Sequence, residues 1–113
     1  MKFFFNLVLL GSVVATQCNK TNPKPPDCVQ HLIAEIKSQP KWNPAGEISE
    51  YRYRGELVYL VSSDCCDQFI VLYNGTCEKI CAPSGGITGK GDGKCADFYE
   101  NATKLRLVWK DDR

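Results

Sequence analysis

From residue 27 onward the apolar positions keep one period and then switch to another. Val29, Leu32, Ile33 and Ile36 fall at i, i+3, i+4 and i+7, the single stripe of an amphipathic helix. Asp27 precedes that stripe as a candidate N-cap, with Gln30 three residues on as its capping-box partner. Gln39-Pro40 stops the pattern, because the residue before a proline is pushed out of the helical region. The spacing therefore predicts a helix over 28–38, about three turns long and buried on one face.

After "KWNPAG" the alternation becomes two-fold. Tyr51 and Tyr53 alternate with Arg52 and Arg54, and a turn is expected near Arg54-Gly55-Glu56. Residues 57–61 are apolar on both faces, which places that strand centrally in its sheet. "QFIVLY" reads as another such strand ended by Asn74-Gly75, and "CEKIC" as a short fourth. In "KLRLVWK" Leu105, Leu107 and Trp109 alternate with Lys104, Arg106, Val108 and Lys110, as in an edge strand whose charges face water. One helix followed by an antiparallel meander is α+β. The expected architecture is an N-terminal amphipathic helix packed on a small antiparallel sheet, cystatin-like by analogy and disulfide-stabilised.

The residues before the helix read differently. Met1-Lys2 is a short positive start, and residues 3–15 are apolar apart from Asn6, Gly11 and Ser12. That run suits a signal-peptide core and is short of the roughly 20 residues of a membrane-spanning helix. The expected organisation is a signal peptide over 1–17, a polar proline-rich linker over 18–26, and one cysteine-rich domain over 27–113. Losing Lys2 with the leader balances the basic and acidic residues. Such a chain has no electrostatic case for nucleic acid and no polybasic patch for acidic lipid.

Seven cysteines in an exported chain leave one over. If cleavage falls before Cys18, that residue becomes a lipidated N-terminus and anchors the protein to a membrane. Cys28, Cys65, Cys66, Cys77, Cys81 and Cys95 then remain as an even disulfide set. If an ordinary peptidase cuts after Ala15, Cys18 stays as a thiol or pairs. Gln17 stands before the cysteine where a small residue is usual in lipoprotein signals. Cys65 and Cys66 are adjacent, and consecutive Cα atoms about 3.8 Å apart fall short of the ordinary disulfide span. They are expected to bond to two different partners, with the connectivity otherwise open.

Little else carries chemistry. Cys77-x3-Cys81 has a ligand-like spacing, but an oxidising compartment favours bridges over a zinc–thiolate site, so no metal is expected. His31, the single histidine, points away from the apolar stripe and is expected in solvent. No catalytic residue and no cofactor are expected. "APSGGITGKGDGKCADF" holds glycines at 85, 86, 89, 91 and 93. It fails the P-loop pattern because Gly91 follows Lys90. It also lacks the carboxylate spacing of an EF-hand. Either this segment is a loop folded by its backbone, with several glycines at positive φ, or it is a binding loop that presents Lys90 and Asp92.

Several landmarks recur together: Asn43-Pro44, Glu47-Ile48, Tyr51 and Tyr53, Cys65-Cys66-Asp67, Cys81-Ala82-Pro83, the glycine run through Lys94-Cys95, and Asp97-Phe98. On these, residues 27–98 resemble a family of small exported bacterial proteins classed as a domain of unknown function. Many of its members look like lipoproteins. The resemblance implies an exported, disulfide-bonded chain lipidated at Cys18, and implies no activity. Two roles follow as expectations. One is a non-enzymatic binding or structural domain at the cell envelope, held to a membrane through Cys18 and facing a protein partner. The other is a secreted inhibitor-like protein whose loop 82–94 enters a protease cleft with Lys90 outward. A glycine loop packed on the sheet favours the first, and a convex free loop the second.

Overall fold

The computed structural model describes residues 23–113; the expected signal peptide, Cys18 and the start of the expected linker lie outside them. Helix α1 spans Asp27–Lys37. It begins one residue earlier than the capping pattern implies, because Pro26 occupies the cap position with φ −51° and ψ 150°. The Pro26 carbonyl accepts from Val29 N and Gln30 N at 2.9 and 3.1 Å. Asp27 therefore sits inside the first turn, where its charge suits the positive end of the helix dipole. Gln30 reaches back with its side chain, donating to the Pro25 carbonyl at 2.9 Å rather than to a backbone amide of Asp27. At the other end, Arg113 Nη1 donates to the carbonyls of Lys37 and Gln39, both at 2.9 Å. These acceptors would otherwise be unpaired at the helix C-terminus. Arg113 is itself held by buried Asp111, whose carboxyl these hydrogen bonds lower to about 2.

Five strands follow: β1 Glu47–Tyr53, β2 Glu56–Val61, β3 Phe69–Tyr73, β4 Lys79–Gly85 and β5 Thr103–Lys110, with a short helix α2, Phe98–Asn101, before the last. Their order is β4-β3-β2-β1-β5, all antiparallel, so β2 is the central strand, as its two-faced apolarity predicts. The β1–β2 hairpin turns at Arg54 and Gly55, with φ of +51° and +77°. Two consecutive left-handed residues match the twist of the flanking strands. After β4 the chain crosses the whole sheet to pair β5 with β1.

Each face of the sheet has its own core. On one face α1 buries Val29 and Ile36 against Ile48, Tyr59 and Val61, with Trp109 alongside. On the other, the β4–β5 crossover buries Phe98 against Tyr53, Val58, Leu72, Cys81 and Cys95. The Phe98 ring lies 4.9 Å from Tyr51 and 5.3 Å from Tyr53, centroid to centroid. A fully buried aromatic of this kind is among the largest single contributors to a small core.

Strand β5 lies at an edge as expected, but its faces are not those the alternation implies. Leu105 and Leu107 are 43% and 49% exposed. Arg106 instead turns inward to Glu50, at 3.3 Å, with its side chain only 17% exposed. The register explains the reversal. Ile48 pairs with Trp109 while Ser49 pairs with Leu107, and Glu50 pairs with Arg106 while Tyr51 pairs with Lys104. Val108 and Leu105 are thus extra residues, and each bulge resets which side chains face inward. The inward carboxylate of Glu50 also accepts from Tyr59 OH at 2.9 Å. Burial, together with that bond, pushes the Tyr59 hydroxyl up to about 12.

Candidate binding groove

Three disulfides form among the described residues. Cys28, in the first turn of α1, bonds Cys77 in the β3–β4 turn, and Cys81 in β4 bonds Cys95 in the crossover. The first pins the helix to one end of the sheet. The second pins the crossover to the opposite face and is buried at both sulfurs' residues. The third joins Cys65 to Cys66, with Cα atoms 3.7 Å apart. The expectation that the adjacent cysteines reach separate partners therefore fails. The fold carries the other four to positions where they meet each other. The β2–β3 loop holding Cys65 and Cys66 leaves the sheet at the end away from Cys77. Among the described residues the other four cysteines are already paired, and the bond between Cys65 and Cys66 closes an eight-membered ring.

That loop also ends a groove. Helix α1 lies over β1 and β2 and leaves the same face of β3 partly uncovered. The resulting channel of about 410 Å³ has Leu32, Glu35 and Ile36 of the helix, with Gln39 just beyond its end, as one wall. Val71, Tyr73 and Phe69 of β3 form the other wall. Trp42 and the loop residues Ser62, Ser63, Asp64 and Gln68 close one end. The floor is apolar at Val61, and carboxylates stand at Glu35 and Asp64. Asp64 Oδ1 is buried and has no hydrogen-bond partner among the described residues. Burial and the Glu35 charge raise the Tyr73 hydroxyl above its ordinary value. Trp42 is held by a bond from its ring nitrogen to Gln39 Oε1 at 3.0 Å.

The glycine segment has a different character. All five of its glycines take positive φ, between +71° and +82°. Its backbone folds onto the sheet: Gly91 N donates to Gly85 O at 3.0 Å, Asp92 N to Ala82 O at 2.9 Å, and Gly86 N to Gln68 O at 3.0 Å. A Cβ on Gly91 would run into the Ala82 carbonyl oxygen. The close approach that needs glycine here is to β4, part of the protein's own sheet. Lys90 and Asp92 are exposed. The Asp92 carboxylate accepts from Lys94 N at 3.0 Å, and this bond holds its carboxyl below the usual range. At the tip, Ile87 is 93% exposed, beside half-exposed Phe69.

The residues singled out by sequence thus lie apart. Lys90 and Asp92 are on the folded-back loop, His31 is exposed on α1, and Cys18 is outside the described residues. The groove residues Trp42, Asp64, Val71 and Tyr73 carry no motif and come from three separate segments. The apolar run of β3 was the single hint available in the sequence. Residues 34–111 match a domain of unknown function, DUF6970. The match starts inside α1 and runs through β5. No curated protein and no solved structure matches the chain.

Proposed function

The chain belongs to the DUF6970 family, a domain of unknown function, and we propose that it is a non-enzymatic binding domain of the cell envelope. Multiple disulfides indicate an oxidising, extracytoplasmic location. Six cysteines consumed in three bonds leave Cys18 over, which supports its lipidation and a membrane anchor. The linker over 18–26 then spaces the domain from the bilayer.

The groove between α1 and β3 is the observation that carries the binding role. Its apolar floor is flanked by Glu35 and by the Asp64 carboxylate oxygen that has no hydrogen-bond partner among the described residues. Such a surface complements a protein segment that sets an apolar side chain next to a basic one. Concave sites with apolar walls and a few placed polar groups are the usual form of binding sites. The packed glycine loop weighs against the inhibitor-like reading, which requires a convex loop free of the sheet.

Two measurements test the proposal. Intact mass of the native protein should show residues 1–17 removed and a diacylglyceryl adduct on Cys18; an unmodified N-terminus at Thr16 refutes the anchor. Capture from solubilised envelope should then compare wild type with Val71→Arg and Lys90→Ala, with melting checked for each. A partner lost with Val71→Arg alone supports the groove. A partner lost with Lys90→Ala alone overturns it in favour of the loop.

A further inference from the structure

We propose that the Cys65–Cys66 ring is a thiol–disulfide exchange site, opened by an extracytoplasmic dithiol, and that its opening reshapes the end wall of the groove. The proposal concerns the ring and its loop, and holds whatever occupies the groove.

The three bridges differ in what they tie together. Cys28–Cys77 and Cys81–Cys95 join residues 49 and 14 apart in sequence. Each removes freedom from the unfolded chain, more so for the longer loop. Cys65 and Cys66 are neighbours, so their bond closes no chain loop. It contributes almost nothing to global stability by that route, and its effects are local. Covalent geometry adds a second difference. One peptide bond fixes adjacent Cα atoms about 3.8 Å apart, below the ordinary span, and departures from that span make a disulfide more reducible.

Access separates the bridges in the same direction. Cys65 and Cys66 are both exposed, whereas Cys81 and Cys95 are 2% and 3% exposed, and Cys28 and Cys77 are packed against the helix-side core. Cys65 also borders a shallow cleft of about 410 Å³ formed with Gln39, Pro40, Lys41, Trp42 and Asn43. An incoming thiolate has room to approach there.

The reaction is ordinary exchange. A thiolate of the dithiol attacks one ring sulfur and the S–S bond breaks. That sulfur now carries a mixed disulfide, while the other leaves as a thiolate and takes a proton. The second thiol of the reductant, once deprotonated, attacks the mixed disulfide. The products are two cysteine thiols and the oxidised, cyclic reductant, with two electrons transferred to the pair. The consequence reaches the groove through the loop itself. Asp64, next to Cys65, lines the groove. Asp67, next to Cys66, holds a left-handed backbone with φ +56°. The constrained ring between them sets where both go.

The test is limited reduction of the folded, natively oxidised protein with graded dithiothreitol, followed by alkylation and peptide mapping. Cys65 and Cys66 should be alkylated at least ten-fold faster than the other four cysteines. Trp42, which borders the same cleft, should change its emission with the same time course, and Cys65→Ser/Cys66→Ser should lack that phase. Simultaneous opening of all three bridges, earlier opening of another, or free thiols at 65 and 66 before reduction overturns the proposal. Selective alkylation with an unchanged Trp42 signal overturns its link to the groove. Should the double variant fail to fold, the order of alkylation in wild type decides the exchange claim alone.

Discussion

Two loops leave the sheet at the same end and touch, Gly86 N donating to Gln68 O, yet they are built on opposite terms. The glycine loop is conspicuous in composition and turns out to be framework. Its backbone bonds to β4, Gly91 sits where β4 lies too close for a side chain, and a buried bridge closes it. The β2–β3 loop over 62–68 is short, and its bridge ties no distant parts together. It also carries the buried Asp64 oxygen, which has no hydrogen-bond partner among the described residues, and forms the end of the groove. Unusual composition marked the place where the backbone is demanding. The surface best suited to binding arose where an element fell short of covering its neighbour.

Removing the bridge from each loop is the sharpest way to break that contrast. Cys81→Ala/Cys95→Ala releases a buried link across 14 residues and should cost about 3 kcal/mol, from the entropy of a loop that size. Cys65→Ser/Cys66→Ser should shift stability by no more than about 0.5 kcal/mol. Denaturant melts of both pairs check this, and equal losses would erase the distinction.

Next in size is Gly91→Ala. Both its φ of +71° and the Ala82 carbonyl beside it oppose a side chain, so a loss of roughly 1–3 kcal/mol is expected. Gly93→Ala has the same hand of backbone but open space around it, and should cost about 1 kcal/mol. Thermal melts that rank Gly93→Ala above Gly91→Ala would show that contact with β4 is not what demands glycine.

Lys90→Ala should leave melting within about 0.5 kcal/mol of wild type, since the side chain is exposed. The smallest effect belongs to Asp92. Its folded carboxyl is held below the ordinary value, chiefly by the Lys94 amide. The stabilisation is therefore present above the unfolded value near 4 and is lost as pH falls through the lower, folded one. Wild type should lose slightly more melting temperature than Asp92→Asn on acidification below about pH 4. Identical acid profiles would show that the turn bond does not contribute.

Local signals reached far into the fold. The stripe Val29, Leu32, Ile33, Ile36 is the buried face of α1, Arg54-Gly55 is the hairpin turn, and the two-faced apolar run is the central strand. Each depends on interactions between residues close in sequence, or on a strand's having neighbours on both sides. Strand β5 marks where this stops. Its alternation is regular, but two bulges against β1 put Arg106 inward and Leu107 outward, and bulges are set by the partner strand.

What the sequence determined by itself is therefore the kind of protein: α+β, a helix ahead of an antiparallel meander, bridge-stabilised, with a glycine loop that has to be left-handed. These follow from periodicity, turn chemistry and composition, which act over a few residues. Tertiary structure alone decided that Cys65 bonds Cys66, because pairing depends on which ends of the sheet the other four cysteines reach. It alone decided the groove as well. Trp42, Asp64, Val71 and Tyr73 become one surface only because a three-turn helix, laid across β1 and β2, is too narrow to cover β3.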